Sequence, residues 1–476
     1  MLDSSAPQTS LTTFTDDIEE RLDQILLSPL RGPDLLKRLN ERVANAKVLF
    51  AGRPLPTFPK PHLLAVEHED RWGAAAERLL EVFEGAGRAL LADRDLRGRL
   101  GLPEGSDALL EIDPGYSRLV VSSRFDMVWS GPQVRVLELN ADSPAMMTFT
   151  DRVEGMLLGL EPVGDLLREH GVEPRARTRA LHDSMLAAYR EWGGTRSDPC
   201  IALVDWSGEA TAGELQHTAA DFVRFGSPTV VCDPRELHLI EGRLHAHGRC
   251  IDIVQRRVLF PDFIRRADEL ATLVTACRRG AVCMVNSLRS YVVGNKVALA
   301  MISQNVFGSS LRDQNLVACL VPPTELVSHE SRDRLVREQD RWVLKGAFGS
   351  GGKEVTIGSR VQPDEWQGAI ERAIGCTSVV QRLEPIPRYR VPALNAAGQV
   401  EMSELYANWN PWVFGGRYGG ATTRVGWKPV VVISGGGGLL PSTAAWSRPI
   451  EHGGAATDDP LARRAHIVRD GYERID

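Results

Sequence analysis

Around residues 109–140 the hydrophobic period of the chain switches from helical spacing to two, and this switch restricts the fold more than any other stretch. In SRLVVSSRFDMVW (117–129), Leu119, Val121 and Phe125 fall on one face of an extended strand, with Arg124 and Asp126 on the other. In QVRVLELN (133–140), Leu137 and Leu139 alternate with Glu138 and Asn140. The SGP between the two runs (130–132) is a turn signal, so the segment reads as a β-hairpin. With the turn centred on Pro132, Asp126 and Glu138 are equidistant from it and become cross-strand neighbours, their Cβ atoms about 5 Å apart. Asn140, two residues beyond Glu138, shares that face. Two carboxylates and an amide oxygen make an oxygen-only site suited to Mg²⁺ or Mn²⁺, and carboxylates this close repel unless a cation holds them. Arg124 lies on the same face, placed to meet an anionic substrate group. An ordinary surface salt-bridge ladder of Arg124, Asp126 and Glu138 fits the pattern equally well.

A second constraint is RWVLKGAFGSGGKEVTIG (341–358). Lys345 ends an apolar strand, four of the next seven residues are glycine, and a second apolar strand with Val355 and Ile357 follows. A glycine hairpin exposes backbone N–H groups that can close over phosphates, and the lysine adds a point charge. A Walker loop is excluded, because its spacing requires glycine at 347 and serine or threonine at 354, where the chain has Ala347 and Glu354. A flexible surface hairpin is the plain alternative. Lysine is scarce in this chain: only seven of its 56 basic residues are lysines, and between 61 and 427 there are only Lys296, Lys345 and Lys353. Lys296 stands where a helical pattern begins in NSLRSYVVGNKVALAMI (286–302). VVQRLEPIP (379–387) reads either as an adenine-contacting connection, with Gln381 and Glu384 as its polar groups, or as ordinary strand-to-loop chemistry. In WNPWVFGGRYGGATTRVG (409–426), Arg417 and Arg424 flank glycines, which suits charge on a transferring phosphoryl group or simply a solvated loop.

Composition sets the outer bounds. A chain of 476 residues, 43% hydrophobic and 25% charged, is a multi-unit globular protein rather than a disordered tail, a fibre or a small disulfide scaffold. Its net charge of −6 argues against binding nucleic acid or an anionic membrane. Seven scattered cysteines with no CxxC pair read as reduced thiols. The start, MLDSSAPQTSLTTFTDDIEE, lacks both a basic leading region and an apolar core, and no apolar run is bilayer-length, so a soluble cytoplasmic protein is expected. Residues 11–110 read as mostly helical, with Asp34 capping a helix through Arg42 and Asp70–Ala92 placing Trp72, Ala75, Leu79 and Val82 near helical spacing. Strand CIALVDW (200–206), helix 211–225 and strand TVVCD (229–233) form a βαβ-like unit. Further helices are expected over 262–278 and 363–374, and a strand over 378–384. The segment 411–440 is glycine-dense and 441–476 reads as a weakly structured tail.

RFDMVWSGPQVRVLELNADSPA (124–145) closely resembles the metal-binding segment of glutathionylspermidine synthases and related circularly permuted ATP-grasp proteins, in which R-F-D, a hairpin turn and E-x-N-A-D-[ST] follow one another. Arg124, Asp126, Glu138, Asn140 and Ser143 match in type and spacing. VNSLRSYVVGNKVALA (285–300) is similar to that family's lysine segment, with Ser287 and Arg289 in place of its alanine and glycine, and VLKGAFGSGGKEV (343–355) is similar to its glycine loop. The resemblance spans about 110–430. It implies an α/β, circularly permuted ATP-grasp fold with a helical N-terminal region (1–110), a metal-ligand half (111–195), a Rossmann-like middle domain (196–275), a nucleotide-binding half with a glycine-rich lid (276–440) and a tail (441–476). By the same analogy Asp126, Glu138 and Asn140 hold Mg²⁺, with Mn²⁺ as the alternative, on the phosphates of ATP. Lys296 and Lys345 contact those phosphates, Gly349, Ser350, Gly351 and Gly352 close over them, and Arg124, Ser143 and Arg424 touch the carboxylate being activated. Lys353 and Arg417 are further lid candidates. Residues 1–110 contain no cysteine, so the amidase activity of bifunctional relatives is not expected. The implied activity is an ADP-forming ligase that joins a small-molecule or peptide carboxylate to an amine through an acyl phosphate, with no nucleic-acid or membrane partner and with a homodimer open to it. A phosphotransferase on the same scaffold, or a non-catalytic nucleotide-binding partner protein, is the alternative.

Overall fold

The computed structural model describes residues 9–130, 133–349, 351–352, 354–395 and 397–445. The hairpin turn centre Pro132, the loop residues Ser350 and Lys353, and the tail from 446 onward lie outside the described residues. Helices α1 (Thr9–Leu26), α2 (Gly32–Asn45) and α3 (Val66–Ala92) make up most of the N-terminal region. Asp34 does not cap α2. The helix begins at Gly32 with Pro33 in its first turn, where the missing N–H costs nothing, and this draws Asp34 inside the helix. In α3 the buried stripe runs through Trp72, Ala76, Leu79, Leu80 and Phe83, rotated slightly from the expected one, so that Ala75 and Val82 sit at its edge.

Strands β1 (Ser122–Ser130) and β2 (Gln133–Asn140) form the expected hairpin, followed by α4 (Met147–Leu158). The βαβ unit is β3 (Ile201–Val204), α5 (Ala212–Arg224) and β4 (Thr229–Cys232). With β5 (Ile253–Arg256) and β6 (Cys283–Val285) it makes a four-stranded parallel sheet in the order β6-β5-β3-β4. All four residues of β3 are buried, as a continuous apolar run requires when both faces of the sheet are covered. Next come α6 (Lys296–Ser303), β7 (Thr324–Leu326), β8 (Trp342–Gly346), β9 (Val355–Ile357), α7 (Pro363–Ile374) and β10 (Ser378–Arg382). Their strands form an antiparallel sheet in the order β7-β10-β8-β9.

Much of the glycine-dense segment is strand, and its 427–437 stretch runs as bends and turns. After β11 (Arg388–Leu394) it falls in β12 (Val400–Phe414), β13 (Arg417–Gly426) and β14 (Gly438–Leu440). These strands join the hairpin in a six-stranded sheet ordered β14-β13-β12-β1-β2, with β11 also paired to β12. Pro411, which cannot donate to a ladder, is accommodated by a register shift between Pro411 and Val413. A short parallel pair, His62–Ala65 with Ser442–Ala445, ties this sheet back to the N-terminal region. No helix of the described residues is long and apolar enough to cross a membrane.

Candidate active site

A cavity of about 630 Å³ lies between the six-stranded hairpin sheet and the β7–β10 sheet. Arg124, Asp126, Glu138 and Asn140 line it from the hairpin, Arg424 from β13, Lys296 from the start of α6, and Lys345, Gly349, Gly351, Gly352, Gln381 and Glu384 from the opposite sheet. Twelve of the fourteen residues assigned from the sequence to metal, nucleotide or substrate carboxylate therefore meet in one place. Ser350 lies outside the described residues. Ser143 does not line the cavity; its hydroxyl donates to the Arg256 carbonyl at 3.2 Å. Arg417 is also elsewhere, 84% exposed and paired with Glu77 at 3.3 Å.

The hairpin register explains the acidic wall. Arg124 stands opposite Asn140 and Asp126 opposite Glu138, the pairing that the symmetric turn indicated. Beyond Asp126 the register slips, Met127 facing Val136, and the ladder passes over Leu137. That bulge leaves the Leu137 carbonyl to accept from Lys345 Nζ at 3.0 Å, so a local irregularity of one wall anchors the lysine of the other. Asp126 Oδ1 accepts from Arg124 Nε at 3.0 Å and from Asn140 Nδ2 at 3.1 Å, while Oδ2 accepts from Arg424 Nη2. Burial alone would raise the Asp126 pKa, but the two guanidinium charges outweigh it and hold the carboxyl at about 2. Asp126 is therefore an anion at neutral pH. Glu138 is 31% exposed and 3.6 Å from Lys296 Nζ, so its carboxylate faces the cavity.

On the opposite wall Lys345 also donates to Gln381 Oε1 at 2.7 Å. Burial pulls its pKa down to about 8, against the opposing charge of Glu138. Gln381 Nε2 donates to Thr324 Oγ1 at 3.1 Å, so both ends of an amide expected at adenine are engaged in holding the lysine. Glu384 pairs with Arg135 at 3.6 Å. Lys296 Nζ donates to the Gly349 carbonyl at 2.7 Å, linking the glycine loop to the hairpin through Glu138. At Gly352, φ is +72° and an added Cβ would stand 2.7 Å from Val430 Cγ1, so glycine lets the loop lie against the Pro429–Val432 segment across the cavity.

Seven cationic and five anionic side chains line the cavity, a positive surplus before any ligand enters. Among the described residues no group of three His, Cys, Asp or Glu side chains forms a metal cluster. The donor set is instead Asp126 and Glu138 with the Asn140 amide. This fits a hard divalent cation that keeps water and phosphate oxygens in its remaining positions. Rotating the Asn140 amide would turn its oxygen toward the same point.

Several supporting residues carry no local sequence signal. Asn286 Oδ1 accepts from Val121 N at 2.9 Å and Ser122 N at 3.0 Å, and its Nδ2 donates to the carbonyls of Ser122 at 2.7 Å and Ala141 at 2.8 Å. One buried side chain thus clamps both strands at the base of the hairpin. Glu214 of α5 accepts from Met146 N and Thr148 N at the start of α4, and Arg256 holds Asp142 at 2.6 Å. Asn408 lines the cavity and Asn410 Oδ1 accepts from Arg424 at 3.2 Å. Their alternation in YANWNPW, polar residues at every second place of an apolar strand, was the available signal.

No family model matches the sequence, and no curated protein matches it either. Among solved structures, a glutathione synthetase-like effector (GSS30) from Globodera pallida, in its apo form, matches with a TM-score of 0.54 at 9% identity, over 88% of this chain and 98% of that one. A putative γ-glutamylcysteine synthetase from Methylobacillus flagellatus KT matches with a TM-score of 0.43 at 10% identity, over 86% and 95%. The first shares the fold of this chain, which is mixed α/β.

Proposed function

We propose that the chain is an ATP-dependent carboxylate–amine ligase with a circularly permuted ATP-grasp arrangement. The observation that carries this reading is the convergence, in one cavity, of Asp126, Glu138 and Asn140 from one sheet with Lys345, Lys296 and the glycine loop from the other. Phosphoryl transfer needs positioning and charge neutralisation more than covalent chemistry, and this wall composition supplies both. The acid-bearing strands precede the lysines in sequence, the order that the resemblance to glutathionylspermidine synthases implies.

Lys345, held by the Leu137 carbonyl and Gln381, and Lys296, held by Gly349, sit where the phosphates of ATP would lie. A divalent cation on Asp126, Glu138 and Asn140 would neutralise charge on those phosphates. Arg124 and Arg424, released in part from Asp126 when that carboxylate turns to the cation, would orient the substrate carboxylate for attack on the γ-phosphate. The reaction yields an acyl phosphate and ADP; an amine then attacks the acyl carbon and expels phosphate, leaving an amide. The glycine loop, folded against Val430 and Val432, would keep water from the acyl phosphate.

The test is ADP release with Mg²⁺ against pools of carboxylates and amines. A ligase releases ADP and free phosphate in equal amounts and only when an amine is supplied. Phosphate retained on the product would reassign the chain as a phosphotransferase, and unchanged ADP release in Asp126→Ala would remove the metal assignment.

A further inference from the structure

Tyr406, Arg360 and Arg388 form a cluster at the outer end of the cavity that the proposed reaction leaves unused. Tyr406 and Arg360 line the cavity, and Arg388 on β11 is the cross-strand partner of Tyr406 on β12. Both guanidinium groups donate to the single phenol oxygen, Arg360 Nη2 at 3.0 Å and Arg388 Nη2 at 3.1 Å. Both also lie over its ring, 5.8 and 4.9 Å from the centroid. Two like charges drawn to one neutral oxygen repel each other, and a phenol does not offset that. Arg388 has Glu404 at 3.5 Å, an exposed pair of small energetic weight. Among the described residues no carboxylate forms an ion pair with Arg360. The two guanidinium groups also draw the Tyr406 phenol below its usual pKa, Arg388 more strongly, as expected of a local positive field.

The cluster is connected to the reaction centre by one strand face. Tyr406, Asn408 and Asn410 alternate along β12, and Asn410 holds Arg424, which holds Asp126. Trp409 pairs with Met127 and Trp412 with Arg124, so the same register places Asn410 abreast of Asp126. From there to Tyr406 is four residues, or about 13 Å at the rise of an extended strand. That is the reach of an extended chain of about four amino-acid residues.

We infer that Arg360 and Arg388, presented by Tyr406, bind a second carboxylate of an elongated acid substrate whose reacting carboxylate lies beside Arg124 and Arg424. The inference rests on the ligase reading of the cavity and narrows it: the acid is a short peptide or comparable chain with a negative charge about 13 Å from the carbon that reacts. Neutral acids of the same length would fit the cavity but leave the arginine pair without an anion.

The probes are the peptides Glu-(Gly)n, with n from one to four and a free C-terminal carboxylate, and their Gln-(Gly)n counterparts, titrated calorimetrically into the full chain. The wild type should prefer glutamate over glutamine by about two- to tenfold at the longer lengths, the range of ion pairs made at exposed arginines. Arg360→Gln with Arg388→Gln should abolish the preference while ATP affinity stays within about twofold, and Arg360→Lys with Arg388→Lys should recover part of it. A wild type that binds no glutamate peptide, or binds both series alike, overturns the assignment. So does a double variant that weakens ATP and spares the peptide preference, which would give the arginines to the nucleotide. ADP release is scored separately: a retained glutamate preference without ADP release from any acid and amine sinks the ligase reading and leaves the anion site standing.

Discussion

At the scale of single residues, Asp126 carries the largest electrostatic responsibility. Its carboxylate is the shared counter-charge of Arg124 and Arg424, both nearly buried. Replacing Asp126 with Asn leaves two buried guanidinium groups without it and should cost about 3–5 kcal/mol in denaturant unfolding. A second change, Arg424→Met, should return part of that loss, and a double-mutant cycle showing no coupling would contradict the pairing. Lys345 predicts a pH effect of opposite character. Its pKa is about 8, because burial disfavours the ammonium. Triphosphate favours the charged form, so ATP binding should raise that pKa and take up a proton above about pH 8, and affinity should fall as pH rises toward about 10, the ordinary lysine value. Calorimetry at pH 8.5 in two buffers of different ionisation enthalpy measures the uptake, which Lys345→Arg should abolish.

Among the elements, the β1–β2 hairpin was the most legible from sequence, because its register is set within about 20 residues by alternation and a symmetric turn. The Asp126–Glu138 pairing follows from that symmetry, whereas the slip at Met127 and Val136 does not, since no residue type marks a bulge there. Helix α7 was legible too: Pro363 opens it and Gly375 follows its end. Strands β12 and β13 were not. Their glycines and Pro411 argue locally for a loop, and what makes them strands is pairing with β1 across nearly 290 residues, as between Ser123 and Val413. The acidic wall could therefore be read locally, while Asn408, Asn410 and the cluster at Tyr406 could not be placed against it. Asn286 is the other long-range device, and it yields a prediction at this scale. Asn286→Ala strips partners from buried backbone groups of Val121, Ser122 and Ala141 and should destabilise the chain by about 3–5 kcal/mol in chemical denaturation. Hydrogen exchange should quicken first at the hairpin base, and uniform quickening would count against a local clamp.

In the whole molecule, catalysis as proposed requires the glycine loop of one sheet to meet the Pro429–Val432 segment beside the other. Gly352→Ala puts a methyl group where Val430 already stands and strains a backbone at φ +72°. It should lower kcat/KM for ATP by about tenfold or more, of the order of 1–2 kcal/mol, while leaving the melting temperature nearly unchanged. An unaltered kcat/KM would mean that the loop acts without that contact. The six-stranded sheet also carries a consequence for biosynthesis. Strand β1 is complete at Ser130, but the β12 residues that pair with it, Trp409 to Phe414, are translated nearly 280 residues later. At about 5–20 residues per second the ribosome needs about 15–60 s to supply them. For that interval the edge of the nascent hairpin that β12 will cover stays open, with the apolar Phe125 and Met127 beside it. A chaperone that shields this edge, or a pause in translation just after Phe414, would decide how much of the newly made chain escapes aggregation.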